Sequence, residues 1–139
     1  MPPRDSNPTR IIDLKKISDP KGNLTPIEGG LDIPFEIRSA FYTYDIPGGE
    51  TRGGHAHIRM EQFIIAVSGS FEVALDDGER QTSFFLNRSY YGLYVPPMVW
   101  RDLANFSSGS VCLVFASRRY EELDYIRDHA EFLRLALNG

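Results

Sequence analysis

Short runs of Val, Ile, Phe and Tyr, each cut off by glycine, proline or an Asp/Asn/Ser cluster, limit what this chain can become. Frequent turns joining short strands suit a sandwich or a closed barrel, and they leave little room for long helices. With 139 residues and 42% apolar content, the chain can close one hydrophobic core and falls inside the usual length of one domain. A single domain over residues 1–139 is therefore expected, with residues 1–9 as a flexible polar leader. Fifteen Lys and Arg against nineteen Asp and Glu give a net charge of −4 without any basic stretch, so nothing supports nucleic-acid binding. No apolar run approaches the roughly 18 residues of a membrane helix, and the first ten residues lack a signal-peptide core. A soluble, cytoplasmic protein is expected. The single cysteine, Cys112, excludes an intrachain disulfide, and within Val111-Cys112-Leu113-Val114-Phe115 it reads as a small buried hydrophobe.

Along the chain, Ile11 to Leu14 predicts a first edge strand and Leu24 to Glu28 a second, separated by the turn formers Asp19-Pro20-Lys21-Gly22-Asn23. Alternation from Ile37 to Asp45 puts Tyr42 and Tyr44 on one strand face and Phe41 and Thr43 on the other. Turns at Pro47-Gly48-Gly49 and Arg52-Gly53-Gly54 then deliver the chain to His55-Ala56-His57. Gln62 to Val67 and Phe71 to Leu75 predict a hairpin across Ser68-Gly69, and Asp76-Asp77-Gly78 turns into a strand from Thr82 to Leu86. Two more strands are predicted at Tyr91–Val95 and Val111–Ala116. The helical spacing of Ile126, Phe132, Leu133 and Leu137 after an acidic start predicts one closing helix over about 121–137, on the outside of the sheets.

Residues two apart in a strand point the same way, so His55 and His57 share a face, about 6 to 7 Å apart at the backbone. Two converging imidazoles can bind a divalent metal or move protons on a substrate; at a solvent edge they would do neither. In order and spacing, Gly49, His55, His57, Glu61 and Gly69 resemble the first cupin motif, with one extra residue before the final glycine. That resemblance implies an all-β jelly-roll barrel of the cupin kind with both histidines projecting into its cavity. The second cupin motif, Pro-x-Gly-x-x-His with an Asn four positions on, is matched by Pro96-Pro97-Met98-Val99-Trp100-Arg101 and Asn105. Arg101 thus stands where the metal-ligating histidine belongs. A guanidinium stays protonated near neutral pH and repels a divalent cation, so no metal is expected, although His55, His57 and Glu61 could hold one weakly. Arg101 suits an anionic or carbonyl-bearing ligand better.

At Arg52-Gly53-Gly54-His55-Ala56-His57, followed by Glu61-Gln62, the chain resembles the sugar 3,4-ketoisomerases that act on dTDP-4-keto-6-deoxyglucose. Asp76-Asp77-Gly78, Gly92-Leu93-Tyr94-Val95-Pro96-Pro97, Trp100, Asn105-Phe106-Ser107-Ser108 and Asp124-Tyr125-Ile126-Arg127-Asp128 extend the likeness over roughly residues 20 to 135. Gly54 departs from it, since many members carry an aromatic there, and Arg101 stands where some carry His. The resemblance implies a cofactor-free, homodimeric isomerase that moves a ketone from C4 to C3 of a dTDP-linked 4-keto-6-deoxy sugar, supplying 3-amino-3,6-dideoxy sugars. The C4 carbonyl acidifies the C3 proton, and its removal gives an enediol that can be reprotonated at C4. Such a reaction needs a base, a carrier for the hydroxyl proton and a donor to the enolate oxygen.

By analogy His55 is the base, and His57 polarises the carbonyl or shuttles the oxygen-bound proton. Tyr42 or Tyr44 could donate to the oxyanion, or the two could form an ordinary aromatic pair. Arg52 suits the diphosphate, because its planar fork matches phosphate oxygens. Tyr94 and Trp100 either line the pocket and stack on thymine or belong to the core. One of Glu61 and Gln62 faces inward, and alternation leaves open which. Members of the family differ at the position of Arg101 and in the C4 configuration of the product, and Arg101 inclines towards gluco. A metal-dependent cupin enzyme, a dTDP-sugar 3,5-epimerase and a non-enzymatic sugar-binding cupin are the competing readings.

Overall fold

The computed structural model describes residues 8–138, so the expected leader lies outside the described residues up to residue 7. Its strands are β1 (Arg10–Asp13), β2 (Ile17–Asp19), β3 (Gly22–Leu24), β4 (Ser39–Thr43), β5 (Arg52–His57) and β6 (Gln62–Ser68). They continue with β7 (Phe71–Asp76), β8 (Gln81–Leu86), β9 (Tyr91–Val95), β10 (Trp100–Ala104), β11 (Val111–Ala116) and β12 (Tyr125–Ile126), and helix α1 (His129–Asn138) closes the chain. Two five-stranded antiparallel sheets, ordered β1-β9-β6-β11-β4 and β12-β5-β10-β7-β8, face each other as a jelly-roll barrel of the cupin kind. The all-β expectation with a C-terminal helix stands.

Between the sheets, Ile64, Phe71, Val73, Leu93, Leu103 and Val114 belong to one buried cluster. Each such side chain contributes about 1.5–3 kcal/mol by leaving water. The outer faces are covered as well. Phe63, Ile65 and Tyr94 pack under Leu14, Ile33 and Phe35, whereas Ala56, Met98, Trp100 and Ile126 pack under Phe132 of α1. Strands covered on both faces lose simple polar alternation, which is why β6 reads as a continuous apolar run.

Several expected elements are corrected. The stretch Leu24 to Glu28 is not a strand: Asp19-Pro20-Lys21-Gly22 turns the short hairpin β2-β3, and only Leu24 takes part in pairing. β6 and β7 do not form a hairpin, because β6 pairs with β9 and β11 whereas β7 pairs with β8 and β10 in the other sheet. Gly69, at φ 73°, takes the chain across the barrel corner against Ser107 and Ser110, whose Oγ atoms lie 2.6 and 2.7 Å from where a Cβ would stand. Turn residues between two apolar runs look the same whether the chain folds back or changes sheet. The predicted helix over 121–137 begins only at His129; a 3-10 turn at Glu122–Asp124 and strand β12 precede it, and Tyr125 and Ile126 pair with His57 and Ala56 of β5. β10, the strand that carries Arg101, was not expected at all.

Candidate active site

The cavity is built where β5 and β10 pair out of simple register. Arg101 faces His55, but Leu103 faces Arg52, so three residues of β5 span what two residues of β10 span. A β-bulge absorbs the extra residue, and Gly53 adopts φ 85° to make it. Strict alternation would turn Arg52 away from the side that His55 occupies; the bulge brings it back to the rim of the cavity. A Cβ on Gly53 would stand 3.0 Å from Leu103 Cδ1, so this position rejects other residues by strain and by contact alike.

His55 lines the cavity, together with Arg101, Tyr125, Phe41, Thr43 and Cys112. His57 lies edge-on against His55, with ring centroids 4.8 Å apart, and Tyr125 covers both imidazoles at 4.9 and 4.3 Å. The two histidines are held differently. Arg101 Nη2 donates to His55 Nε2 at 3.1 Å, and because a guanidinium can only donate, that nitrogen must carry a lone pair. His57 Nδ1 lies 3.3 Å from Asp124 Oδ2, and because a carboxylate only accepts, this nitrogen carries the proton. The lone pair of His57 is therefore on Nε2, which is buried without a partner. Asp124, itself buried, also accepts the backbone N–H of Arg59 at 2.8 Å and of Met60 at 3.2 Å.

Electrostatics keep both rings uncharged. Burial first, then the Arg101 guanidinium, with His57 and Arg127 adding to it, lowers His55 to about 2. Burial and Arg101 also hold His57 below the ordinary imidazole value, against the opposing pull of Asp124. Burial lowers Arg101 to about 10, which still leaves it charged at neutral pH. Burial raises the Cys112 thiol to about 11 in spite of Arg101 and Arg52, so it is no nucleophile.

This arrangement makes stability pH-dependent. Each folded imidazole resists a proton that the unfolded chain accepts near pH 6.5, so its contribution is complete above that pH and is lost as the pH falls. For His55 alone, about 2 kcal/mol should disappear between pH 7 and 5. Urea midpoints at the two pH values are expected to drop less in His55→Asn than in the wild type.

Alternation settles the other sequence candidates. Gln62 is the inward member of its pair, fully buried, its Nε2 3.5 Å from Met60 Sδ and its Oε1 unpartnered. Glu61 points outward and accepts Tyr94 Oη at 2.6 Å, so His55, His57 and Glu61 are not brought together as a ligand set. Tyr94 is corrected to the outer cluster, because its neighbours Leu93 and Val95 take the inside. Trp100 is likewise corrected: with Arg101 inward it must point outward, where Nε1 donates to Asp102 Oδ2 at 3.0 Å and the ring packs on Phe132. Tyr42 and Tyr44 share a face as expected, but it is the outer face of edge strand β4 and the residue just past its end, where the rings lie 5.6 Å apart and are 63% and 59% exposed. Their partners Phe41 and Thr43 line the cavity instead. Tyr42→Phe and Tyr44→Phe are expected to leave turnover within about twofold, as surface changes do.

Asp124 and Tyr125 were missed as site residues. Their signal was present, since Tyr125-Ile126 is an aromatic and β-branched pair between an acidic turn and the helical pattern, but a continuous helix absorbed it. Met98 fills the glycine place of the second motif at φ 60°, a strain of about 1 kcal/mol, and its N–H ties the turn to His57 O at 2.7 Å.

Two uncharged imidazoles and a buried guanidinium within a cupin barrel define a pocket for acid–base chemistry on an oxygen-bearing ligand. The family model described as FdtA: WxcM-like, C-terminal matches residues 7–136. A TDP-4-oxo-6-deoxy-alpha-D-glucose-3,4-oxoisomerase of Aneurinibacillus thermoaerophilus is 43% identical over 123 residues, 88% of either chain. Among solved structures, a His→Asn mutant of the 3,4-ketoisomerase QdtA from Thermoanaerobacterium thermosaccharolyticum, in complex with TDP-4-keto-6-deoxyglucose, matches with a TM-score of 0.91. It is 38% identical, over 94% of both chains. A 3,4-ketoisomerase from Helicobacter canadensis matches with a TM-score of 0.90 at 41% identity, over 93% of this chain and 97% of its own. The chain belongs to the FdtA/WxcM-like family.

Proposed function

We propose that this protein is a TDP-sugar 3,4-ketoisomerase that converts TDP-4-keto-6-deoxyglucose into a TDP-3-keto-6-deoxyhexose of gluco configuration at C4. The observation that carries this reading is the uncharged His55 on the cavity wall with the Arg101 guanidinium against it. The cavity, of about 110 Å³, is far below the 300–1,000 Å³ that encloses a whole drug-sized ligand, so only the reacting end of a nucleotide sugar fits inside. The diphosphate then lies across the rim, where Arg52 presents its fork. His55 takes the proton from C3, exchanges it with solvent and delivers a proton to C4, and His57, oriented by Asp124, moves the proton between the two sugar oxygens. Arg101 donates to the oxygen on which negative charge develops.

No cofactor is needed, because the ketone itself acidifies the neighbouring C–H bond. The structure of a related ketoisomerase with TDP-4-keto-6-deoxyglucose bound supports the choice of substrate. No helix of the described residues is long and apolar enough to cross a membrane. The same proposal places the enzyme in the cytoplasm, feeding 3-amino-3,6-dideoxy sugars to glycan assembly. A homodimer is part of the same proposal, the free edge strands offering unpaired backbone to a second copy. Proton NMR of TDP-4-keto-6-deoxyglucose incubated with the protein in D2O is the test. A 3-keto product labelled at C4 is expected; label at C5 would instead make it a 3,5-epimerase, and binding without any exchange a sugar-binding cupin.

A further inference from the structure

Arg101 is an unusual arginine. It is 4% exposed and, among the described residues, no carboxylate hydrogen-bonds its side chain, its Nε has no partner, and its side-chain hydrogen bond goes to the imidazole of His55. Desolvating a guanidinium without an anionic partner is unfavourable, and such a group keeps its place where a ligand oxygen completes it. Its Nη1 lies 4.0 Å from where a Cβ of Gly53 would stand, and both residues line the cavity. Meanwhile Nη2 occupies the lone pair of His55 Nε2, the very electrons a base must use.

We infer that Arg101 caps the base in the free protein and is drawn off it by the ketone oxygen of the substrate, so that His55 becomes available only when the carbonyl is in place. The inference rests on the isomerase reading above. In the step it describes, the Arg101 N–H bond donor moves from His55 Nε2 to the C4 oxygen. His55 Nε2 then takes the C3 proton, the electrons of the C3–H bond form the C3–C4 double bond, and the carbonyl π electrons move onto the C4 oxygen, which Arg101 holds. Proton transfer from the O3 to the O4 oxygen and delivery of a solvent-exchanged proton from His55 to C4 leave the ketone at C3. The same displacement removes part of what keeps His55 acidic, because the guanidinium charge is the second cause of its lowered pKa.

The test follows the imidazole nitrogens of His55 by long-range proton–nitrogen NMR of the labelled protein. In the free wild type, Nε2 is expected at the position of a hydrogen-bonded, unprotonated nitrogen; TDP alone should leave it there, and TDP-4-keto-6-deoxyglucose should move it towards that of a free lone pair. In free Arg101→Gln, the resonance is expected to move without any ligand and the ring to titrate at higher pH than in the wild type. The same variant should lose about 100-fold or more in kcat, the size of a lost oxyanion donor, although its base has become more basic. Arg101→Gln removes a buried charge without an anionic partner, so its Tm should hold or rise. An Nε2 resonance that responds equally to TDP and to the keto sugar would overturn the cap, and so would one unmoved in Arg101→Gln. A kcat retained in Arg101→Gln with only KM raised would place Arg101 on the diphosphate instead and likewise overturn it. The wild-type spectra need no variant to fold. Absence of turnover in the wild type would sink the isomerase reading, while the comparison of free wild type with free Arg101→Gln would still decide whether the cap exists.

Discussion

His55→Asn should abolish measurable 3,4-isomerisation, lowering kcat by about 10³-fold or more, while the barrel remains folded. The size follows from the role: a positioned general base contributes roughly 10²–10⁴-fold, and among the described residues His55 is the imidazole that lines the cavity. His57 is not expected to take over, because Asp124 fixes its ring in the orientation that serves the oxygen-bound proton. Asn is shorter than His but keeps a carbonyl acceptor, so the buried guanidinium is not left facing a purely apolar wall. The check is deuterium exchange at C3 and C4 of TDP-4-keto-6-deoxyglucose, measured by NMR beside a thermal melt. A folded His55→Asn that exchanges deuterium at the wild-type rate would remove His55 from the base role.

The sequence disclosed the barrel, the His pair and Arg101 because each of them depends on short-range pattern. Two residues apart in a strand is the same face whatever the partner strands do, and a motif with fixed glycines marks the turns that lead to it. The errors arose where tertiary pairing decides. Tyr42 and Tyr44 are as regular as Phe41 and Thr43, and nothing local says which face of an edge strand looks inward; the register of β4 on β11 does, by setting Thr43 opposite the buried Cys112. Trp100 beside Arg101 could have been excluded from the cavity by alternation alone, had β10 been read as a strand. Arg52 reaches the rim of the cavity although strict alternation would turn it away, since the bulge at Gly53 reverses its face. The local signal marked a strand at Tyr125-Ile126 but not the pairing of Asp124, which lies 67 residues from His57 and meets it only because β12 adds to the edge of β5.

That distant carboxylate carries the second large effect. Asp124→Ala leaves His57 Nδ1–H and the backbone N–H groups of Arg59 and Met60 without their acceptor. With about 1–3 kcal/mol for each orphaned buried donor, the loss should be about 3 kcal/mol or more, a large share of the 5–15 kcal/mol that holds a domain together. Asp124→Asn separates this structural part from the chemical one. An amide oxygen can still accept from one or two of the three donors, so most of the stability should remain. The negative charge is gone, however, and with it the larger of the two Asp124 effects that raise the His57 pKa against burial and Arg101. His57 becomes a weaker base, and kcat should fall by about 10–100-fold, as when the partner that orients an essential histidine is removed, with KM little changed. Urea unfolding of both variants and the pH profile of kcat provide the measurement. A carboxylate that only plugs a hole in the fold would give Asp124→Asn wild-type kinetics at every pH, whereas one that tunes His57 must move the rate even where the melt does not change.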